Sequence, residues 1–280
     1  LRKVSIIFFL VHIYVSFTAY LFAVPHAEVR ELHGHPTLYI NETPYPPFAY
    51  MSYLGETRYY REAAEAGIHL YCFPAYLGNR GINSTSGIGP FRPAIWIEEN
   101  KFDYSSIKID FDKILKADPQ AEVIIRIHLD VPQWWDNKNP GECTLLPDGT
   151  LQRQNFSSEL WRKQAGEALA GCVRWLMESP YSGHLAGIHV AAGFTEEWFY
   201  HFSGSFADIN PLRIRSFQTW LSEQYQNSPK ALQESWGRHQ LTFENATPAD
   251  ISGILKQDKW RDPAGNSFDN LKLTPWEYKR

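Results

Sequence analysis

Three cysteines in 280 residues are too few, and odd in number, to form a disulfide framework, which excludes a small stapled scaffold. Charge of either sign is also not in surplus. The chain has 27 Lys and Arg against 31 Asp and Glu, a net charge of −4, so the clustered basic excess required of a nucleic-acid binder is missing. Charged residues make up only 21% against 44% hydrophobic, a balance that excludes long disorder. There is no Gly-rich phosphate loop after the first predicted strand, no HExxH and no Gly-x-Ser-x-Gly, which removes dinucleotide folds, zincins and elbow-type serine hydrolases. His33-Gly34-His35 and the pair His184/His189 lack a third ligand at recognisable spacing. No metal and no cofactor is therefore expected, and the chain has neither internal repeats nor low-complexity tracts.

What is abundant is aromatic. Ten Trp, 15 Tyr and 17 Phe exceed what a core of this size needs, and suggest a surface on which ligands stack. The N-terminus is the second conspicuous feature. Arg2 and Lys3 precede an apolar run from Val4 to Val24, with Ala23 and Ala27 as small residues near its end. Residues 1–27 read as a secretory signal peptide or as an uncleaved signal-anchor, the run being longer than the usual signal core of about 7–15 residues. Either places residues 28–280 outside the cytoplasm, secreted or held by a single-pass anchor, with a membrane contact only if the run is retained. Four N-x-Ser/Thr sequons, at Asn41, Asn83, Asn155 and Asn245, fit a glycoprotein of a eukaryotic secretory route. Cys72, Cys143 and Cys172 then allow either one disulfide and a free thiol, or three buried thiols.

Strand and helix signals alternate along the remainder. Strands are expected at Phe48–Met51, Ile68–Phe73 (ended by Pro74), Val123–Leu129 and His184–Ala192. Helices are expected at 58–66 closed by Gly67, at 111–117 capped by Asp110, from Ser157 or Ser158 to about Met177, at 211–225, and at 229–236 closed by Gly237. A short strand, Leu38–Ile40, ends in the turn Asn41-Glu42-Thr43. The class is therefore α/β with a parallel sheet. Segments after strands are long (75–104 and 131–155, the latter with a Pro147-Asp148-Gly149 turn), while those after helices are short. That asymmetry predicts a (β/α)8 TIM barrel with its site at the carboxyl ends of the strands. Four units between Phe48 and Gly237 occupy about 48 residues each, so eight would need about 380. The barrel is expected to be incomplete here, comprising the first four to five βα units.

Two strand ends carry chemistry. In the third strand Ile124, Arg126, His128 and Asp130 share one face, and Val123, Ile125, Ile127 and Leu129 the other. The apolar set should face covering helices and the polar set the barrel interior, with Arg126 contacting ligand or forming a structural ion pair. Trp134 and Trp135 follow on a predicted loop, as a stacking platform for sugar. After the fourth strand, Glu196 and Glu197 stand beside Phe194, Trp198, Phe199 and Tyr200. A carboxyl group among aromatic rings has its charged form disfavoured, which suits it to protonate a leaving group. His189 lies on the strand itself.

The opening 31–41, Glu-Leu-His-Gly-His-Pro-Thr-Leu-Tyr-Ile-Asn, resembles the leader of β-galactosidase-like glycoside hydrolases of clan A. So do Pro132-Gln133-Trp134-Trp135, and Gly187-Ile188-His189-Val190 running into Glu196-Glu197-Trp198-Phe199-Tyr200. The stretch Phe217-Gln218-Thr219-Trp220-Leu221 through Trp236-Gly237 is similar to the helices after the fourth strand in the family forty-two type. The resemblance implies an N-terminal part of a TIM-barrel catalytic domain and retaining hydrolysis of a β-glycoside. It implies Glu197 as acid/base, with Glu196 as the alternative; the family usually has Asn before this acid, and Glu196 stands there instead, implying an altered sugar contact. Trp134, Trp135, Trp198, Arg126, His189 and Tyr200 would contact the carbohydrate substrate. The family's nucleophile lies at the seventh strand, and no residue here matches it. The expectation is thus a fragment of a hydrolase or, alternatively, a non-catalytic carbohydrate-binding protein.

Overall fold

The structure, a computed structural model, describes residues 24–79, 92–193, 198 and 208–248. The apolar run at 1–23 and the sequon at Asn83 lie outside the described residues. Among the described residues, no helix is long and apolar enough to cross a membrane.

An antiparallel meander comes first: β1 (Ala27–Leu32), β2 (His35–Ile40) and β3 (Thr43–Pro44). Its turns, His33-Gly34 and Asn41-Glu42, place both central residues at positive φ, the two-residue geometry that matches the right-handed twist of the flanking strands. The sequence indicated the second of these strands and its turn, but not β1.

The chain divides into two compact units. The first comprises residues up to Gln133 together with Gln164–Trp198. After β4 (Tyr50–Met51), α1 (Thr57–Glu65) and β5 (Leu70–Tyr76) comes a hairpin of β6 (Trp96–Glu98) and β7 (Lys101–Phe102). Next are α2 (Ser105–Ala117) and β8 (Glu122–His128). The short α3 (Gln133–Lys138) begins where the first unit gives way to the second. Within the second unit β9 (Cys143–Leu145) and β10 (Leu151–Gln154) pair across the Pro147-Asp148-Gly149 turn, with Leu146 N–H donating to the Thr150 carbonyl at 2.9 Å. α4 (Glu159–Glu178) returns the chain to the first unit, where β11 (Leu185–Ala191) follows. α5 (Pro211–Gln224) and α6 (Pro229–Trp236) belong to the second unit.

β4, β5, β8 and β11 form one parallel sheet in that order, each strand beside its predecessor. The described strands make an open sheet, not a closed barrel. Pro74 does not end β5, as the sequence suggested; the strand runs on to Tyr76 in register with β8. Ser52 N–H donates to the Cys72 carbonyl, whereas Leu77 N–H donates to β8 at His128. Residues of Pro74's parity thus turn their main-chain groups toward β4, which ends at Met51, so the donor that proline lacks has no ladder partner to lose.

One face of the sheet is wholly apolar, as expected. Tyr71, Phe73 and Ala75 of β5 align with Val123, Ile125 and Ile127 of β8, all of them buried. α2 covers this face with Ile107, Phe111 and Ile114, spaced by four and three residues on one side of the helix. Phe111 meets Phe73 edge-on at 5.4 Å and stacks on Tyr181 at 4.6 Å. Tyr60 of α1 fits edge-on between Tyr50 and Tyr71. α2 starts six residues before the predicted position. Asp103 accepts the Ser105 N–H at its start, while Asp110 is a buried mid-helix residue paired with Arg92, not a cap.

In the second unit, Ser158 Oγ accepts the Trp161 N–H and Asn210 Oδ1 accepts the Leu212 N–H, capping α4 and α5. Gly237 closes α6 at φ 62°. Leu221, Leu232, Leu241 and Ala246 form a small core flanked by Phe217, Tyr225, Trp236 and Phe243.

Candidate functional site

The polar face of the first unit's sheet carries the chemistry. Arg126 and His128 alternate on β8, and Asp130 continues their row past its end. The parallel register sets Pro74 and Tyr76 of β5 on one side of Arg126 and His128, and His189 and Ala191 of β11 on the other. Arg126 is 8% exposed, His128 and Asp130 only 1%. Charged and polar groups this deep require partners. Arg126 Nη1 donates to Tyr53 Oη at 2.9 Å, from the segment after β4. His128 packs against the Tyr76 ring at 5.6 Å, its Nδ1 lying 3.9 Å from an Asp130 oxygen. Its buried Nε2 has no hydrogen-bond partner among the described residues. Asp130 Oδ1 accepts the Gly193 N–H at 3.2 Å.

The loops at these strand ends are held close. A Cβ on Gly78, just after β5, would lie 2.3 Å from the Val131 carbonyl carbon, so only glycine permits the approach of the two backbones. After β11, Trp198 N–H donates to the Ala192 carbonyl at 2.8 Å, and the indole N–H to the Val190 carbonyl at 3.2 Å. The indole is thereby fixed along the β11 edge while 50% of the residue stays exposed. His189 is exposed on the same strand. A fixed, half-open ring can stack on an apolar ligand face, while the polar side chains at the neighbouring strand ends offer hydrogen-bonding groups.

The sequence-predicted residues divide accordingly. Arg126, His189 and Trp198 belong to the first unit, at or near the carboxyl ends of adjacent strands. Glu196, Glu197 and Tyr200 lie outside the described residues. Trp134 and Trp135 belong to the second unit and sit on α3 rather than on a loop. Trp134 is half-buried, and Trp135 is fully buried at 0% exposure. Trp135 is therefore a core residue of its unit and no stacking surface. Tyr53, Tyr76, His128 and Asp130 were not among the predicted contacts. The alternation that selected Arg126 also contains His128 and Asp130, whereas nothing local marks Tyr53.

Of the sequons, Asn41 and Asn245 are exposed. Asn155 is fully buried, and its amide donates to Asp208 at 2.6 Å; a glycan there is incompatible with this packing. All three cysteines are free thiols here, and Cys72 is half-buried rather than buried. Cys143 and Cys172 are buried, and burial pushes the Cys172 thiol up to about 12.

The opposite end of the sheet is also polar. Tyr71 Oη and His69 Nδ1 both reach Asp118 Oδ2, at 2.9 and 2.7 Å. Nearby, at the start of β8, burial pushes the Glu122 carboxyl up to about 7. His26, Glu28 and Glu42 bring ligand atoms within 4.8 Å of one another on the meander. Arg30 bridges the two carboxylates at 3.2 and 3.0 Å, so the cluster is satisfied as an ion-pair network.

No protein-family model matches the chain, and no curated protein does. Solved structures similar in fold include Gan42B, a GH42 β-galactosidase, at 16% identity and a TM-score of 0.47, covering 69% of this chain and 26% of that one. A catalytic mutant of Gan42B from G. stearothermophilus gives 18% identity, a TM-score of 0.43 and the same coverage. The cold-adapted β-galactosidase from Rahnella sp. R3 gives 15% identity and 0.46, covering 70% of this chain and 26% of its own. The chain spans about a quarter of the length of these proteins.

Proposed function

We propose that the chain forms the first half of a (β/α)8 catalytic domain that hydrolyses a β-glycoside, acting outside the cytoplasm behind a signal or signal-anchor at residues 1–27. The observation that carries this reading is the row Arg126–His128–Asp130 at the carboxyl end of β8, with His189 on the neighbouring strand and the half-exposed Trp198 held along that strand's edge. Four parallel strands in sequence order support the barrel topology. Sugars present hydroxyls at their rim and C–H faces above and below, which a donor–acceptor row on one strand and a fixed indole after the next complement.

Glu197 directly precedes Trp198 in the chain and is the acid/base in this reading, with Glu196 as the alternative. As acid it protonates the glycosidic oxygen while a second carboxylate, about 5–5.5 Å away, attacks the anomeric carbon. As base it then takes a proton from the water that releases the sugar. The second carboxylate comes from the later half of the barrel. Exposed Asn41 and Asn245, with Asn83, remain as glycan acceptors.

The test is release of aryl β-glycosides, β-galactosides first, by the protein extended through the later βα units. Glu197→Gln should lower kcat about 100-fold or more, the range of general acid catalysis, while leaving sugar binding by calorimetry intact. Unchanged turnover in both Glu197→Gln and Glu196→Gln sinks the assignment. Binding without turnover in the extended protein would make it a sugar-binding protein instead.

A further inference from the structure

The second unit contains a cleft of about 660 Å³ between the start of α4 and the outer side of α5. Arg215, Thr219 and Glu223 recur every four residues along α5 and so line one side of the helix. Beside them stands Trp220, 51% exposed, with its ring stacked on Phe217 at 6.1 Å. Facing them are Glu159 and Arg162, 3.8 Å apart, from the first turn of α4. Burying so large a ring is normally favourable, so an indole left half in solvent above a cleft is informative.

The lining decides the chemistry. Arg215, Thr219 and Glu223 make no side-chain hydrogen bond or ion pair among the described residues. The wall therefore offers donors, acceptors and a hydroxyl that can serve as both. Glu142 joins Glu159 and Glu223 in the cleft, against Arg162 and Arg215. Three carboxylates disfavour phosphate or sulfate, and two guanidinium groups disfavour a cation. Leu160, Leu212 and Trp220 are its apolar members, too few to seat the face of an amphipathic helix. A flat ring flanked by exposed hydrogen-bonding groups of both signs matches a neutral polyhydroxylated chain.

We infer that this cleft is a second carbohydrate site, in which Trp220 stacks on a sugar ring while Arg215, Thr219 and Glu223 bind its hydroxyls. It is independent of the strand-end site: all of its residues belong to the second unit. Such a site would hold a polymeric substrate without cleaving it.

The test is hydroxyl-radical footprinting read by mass spectrometry on the peptide containing Trp220, titrated with the neutral oligosaccharides cellotetraose and β-1,4-galactotetraose. It is run on this chain and on the extended protein. Saturable protection of Trp220 by at least one oligosaccharide is expected. Arg215→Gln and Glu223→Gln should each raise the half-saturating concentration about tenfold, the loss of one charge-assisted hydrogen bond. Trp198→Ala should leave it unchanged, which separates this site from the strand-end one. Protection in the extended protein without sugar would show that Trp220 is covered by the rest of the chain, and would overturn the inference. So would no protection by either sugar, or protection by sulfate instead.

Discussion

Asp130 accepts the backbone N–H of Gly193 at 3.2 Å, so the segment leaving β8 is tied to the segment leaving β11. The bond joins the two strand ends between which the proposed sugar site is built. Gly193 lies just before Glu196 and Glu197 in the chain, so Asp130 holds the backbone just ahead of them.

Replacing Asp130 with Ala should destabilise the protein by about 1–3 kcal/mol, because the Gly193 N–H is left buried without an acceptor. Asn at the same position keeps an acceptor oxygen and should recover part of the loss. Urea unfolding midpoints for the three proteins check this. Equal midpoints for Ala and wild type would show that the bond contributes nothing.

Two tryptophans separate packing from binding. Trp135→Ala removes a fully buried ring and should cost about 3–5 kcal/mol of stability. Trp198→Ala removes a half-exposed ring and should shift stability by about 0.5 kcal/mol or less, while weakening sugar binding by calorimetry. The reverse pattern would return the stacking role to Trp135.

Glu122 gives the protein a pH dependence of defined sign. Its carboxyl rises from an ordinary value of 4.5 to about 7 on folding because burial disfavours its charge. The folded state therefore binds the proton more tightly than the unfolded one. The resulting stabilisation is complete below about pH 4.5 and is lost as pH rises through about 7. Solvent reaching the half-buried group limits the effect to about 2–3 kcal/mol. The difference in unfolding free energy between wild type and Glu122→Gln, measured at pH 5 and pH 8.5, should change by this amount. A difference constant with pH would refute it.

The cysteines predict a titration. Ellman's reagent under native conditions should leave Cys143 and Cys172 unmodified over minutes, since both are buried and the Cys172 thiolate is strongly disfavoured. Unfolding in guanidinium without reductant should then expose three thiols. A count of one would reveal a disulfide.

Much of this fold was legible in the sequence because period and punctuation agree. The alternation in Val123–Leu129 gave both faces of β8, and Gly67 and Gly237 closed their helices where expected. The misreadings share a cause, namely contacts between residues distant in sequence. Asp110 looked like a cap because its partner, Arg92, lies 18 residues upstream. Pro74 looked like a stop because the early end of β4, which makes it harmless, cannot be read from β5. Adjacent Trp134 and Trp135 looked like one platform, but α3 buries only the second. Of the site, Arg126, His128 and Asp130 were visible as a pattern, and Tyr53 was not, since it joins them only through the fold.

The strand order has a consequence for how the molecule is made. Each strand of the parallel sheet pairs with the one synthesised before it, across gaps of 45 residues between β5 and β8 and 56 between β8 and β11. Closing such gaps is slow for a free chain. During synthesis, however, β4 and β5 are available as a template before β8 leaves the ribosome, and β8 before β11. The sheet can therefore grow from one edge in step with translation, each new strand adding to one already in place.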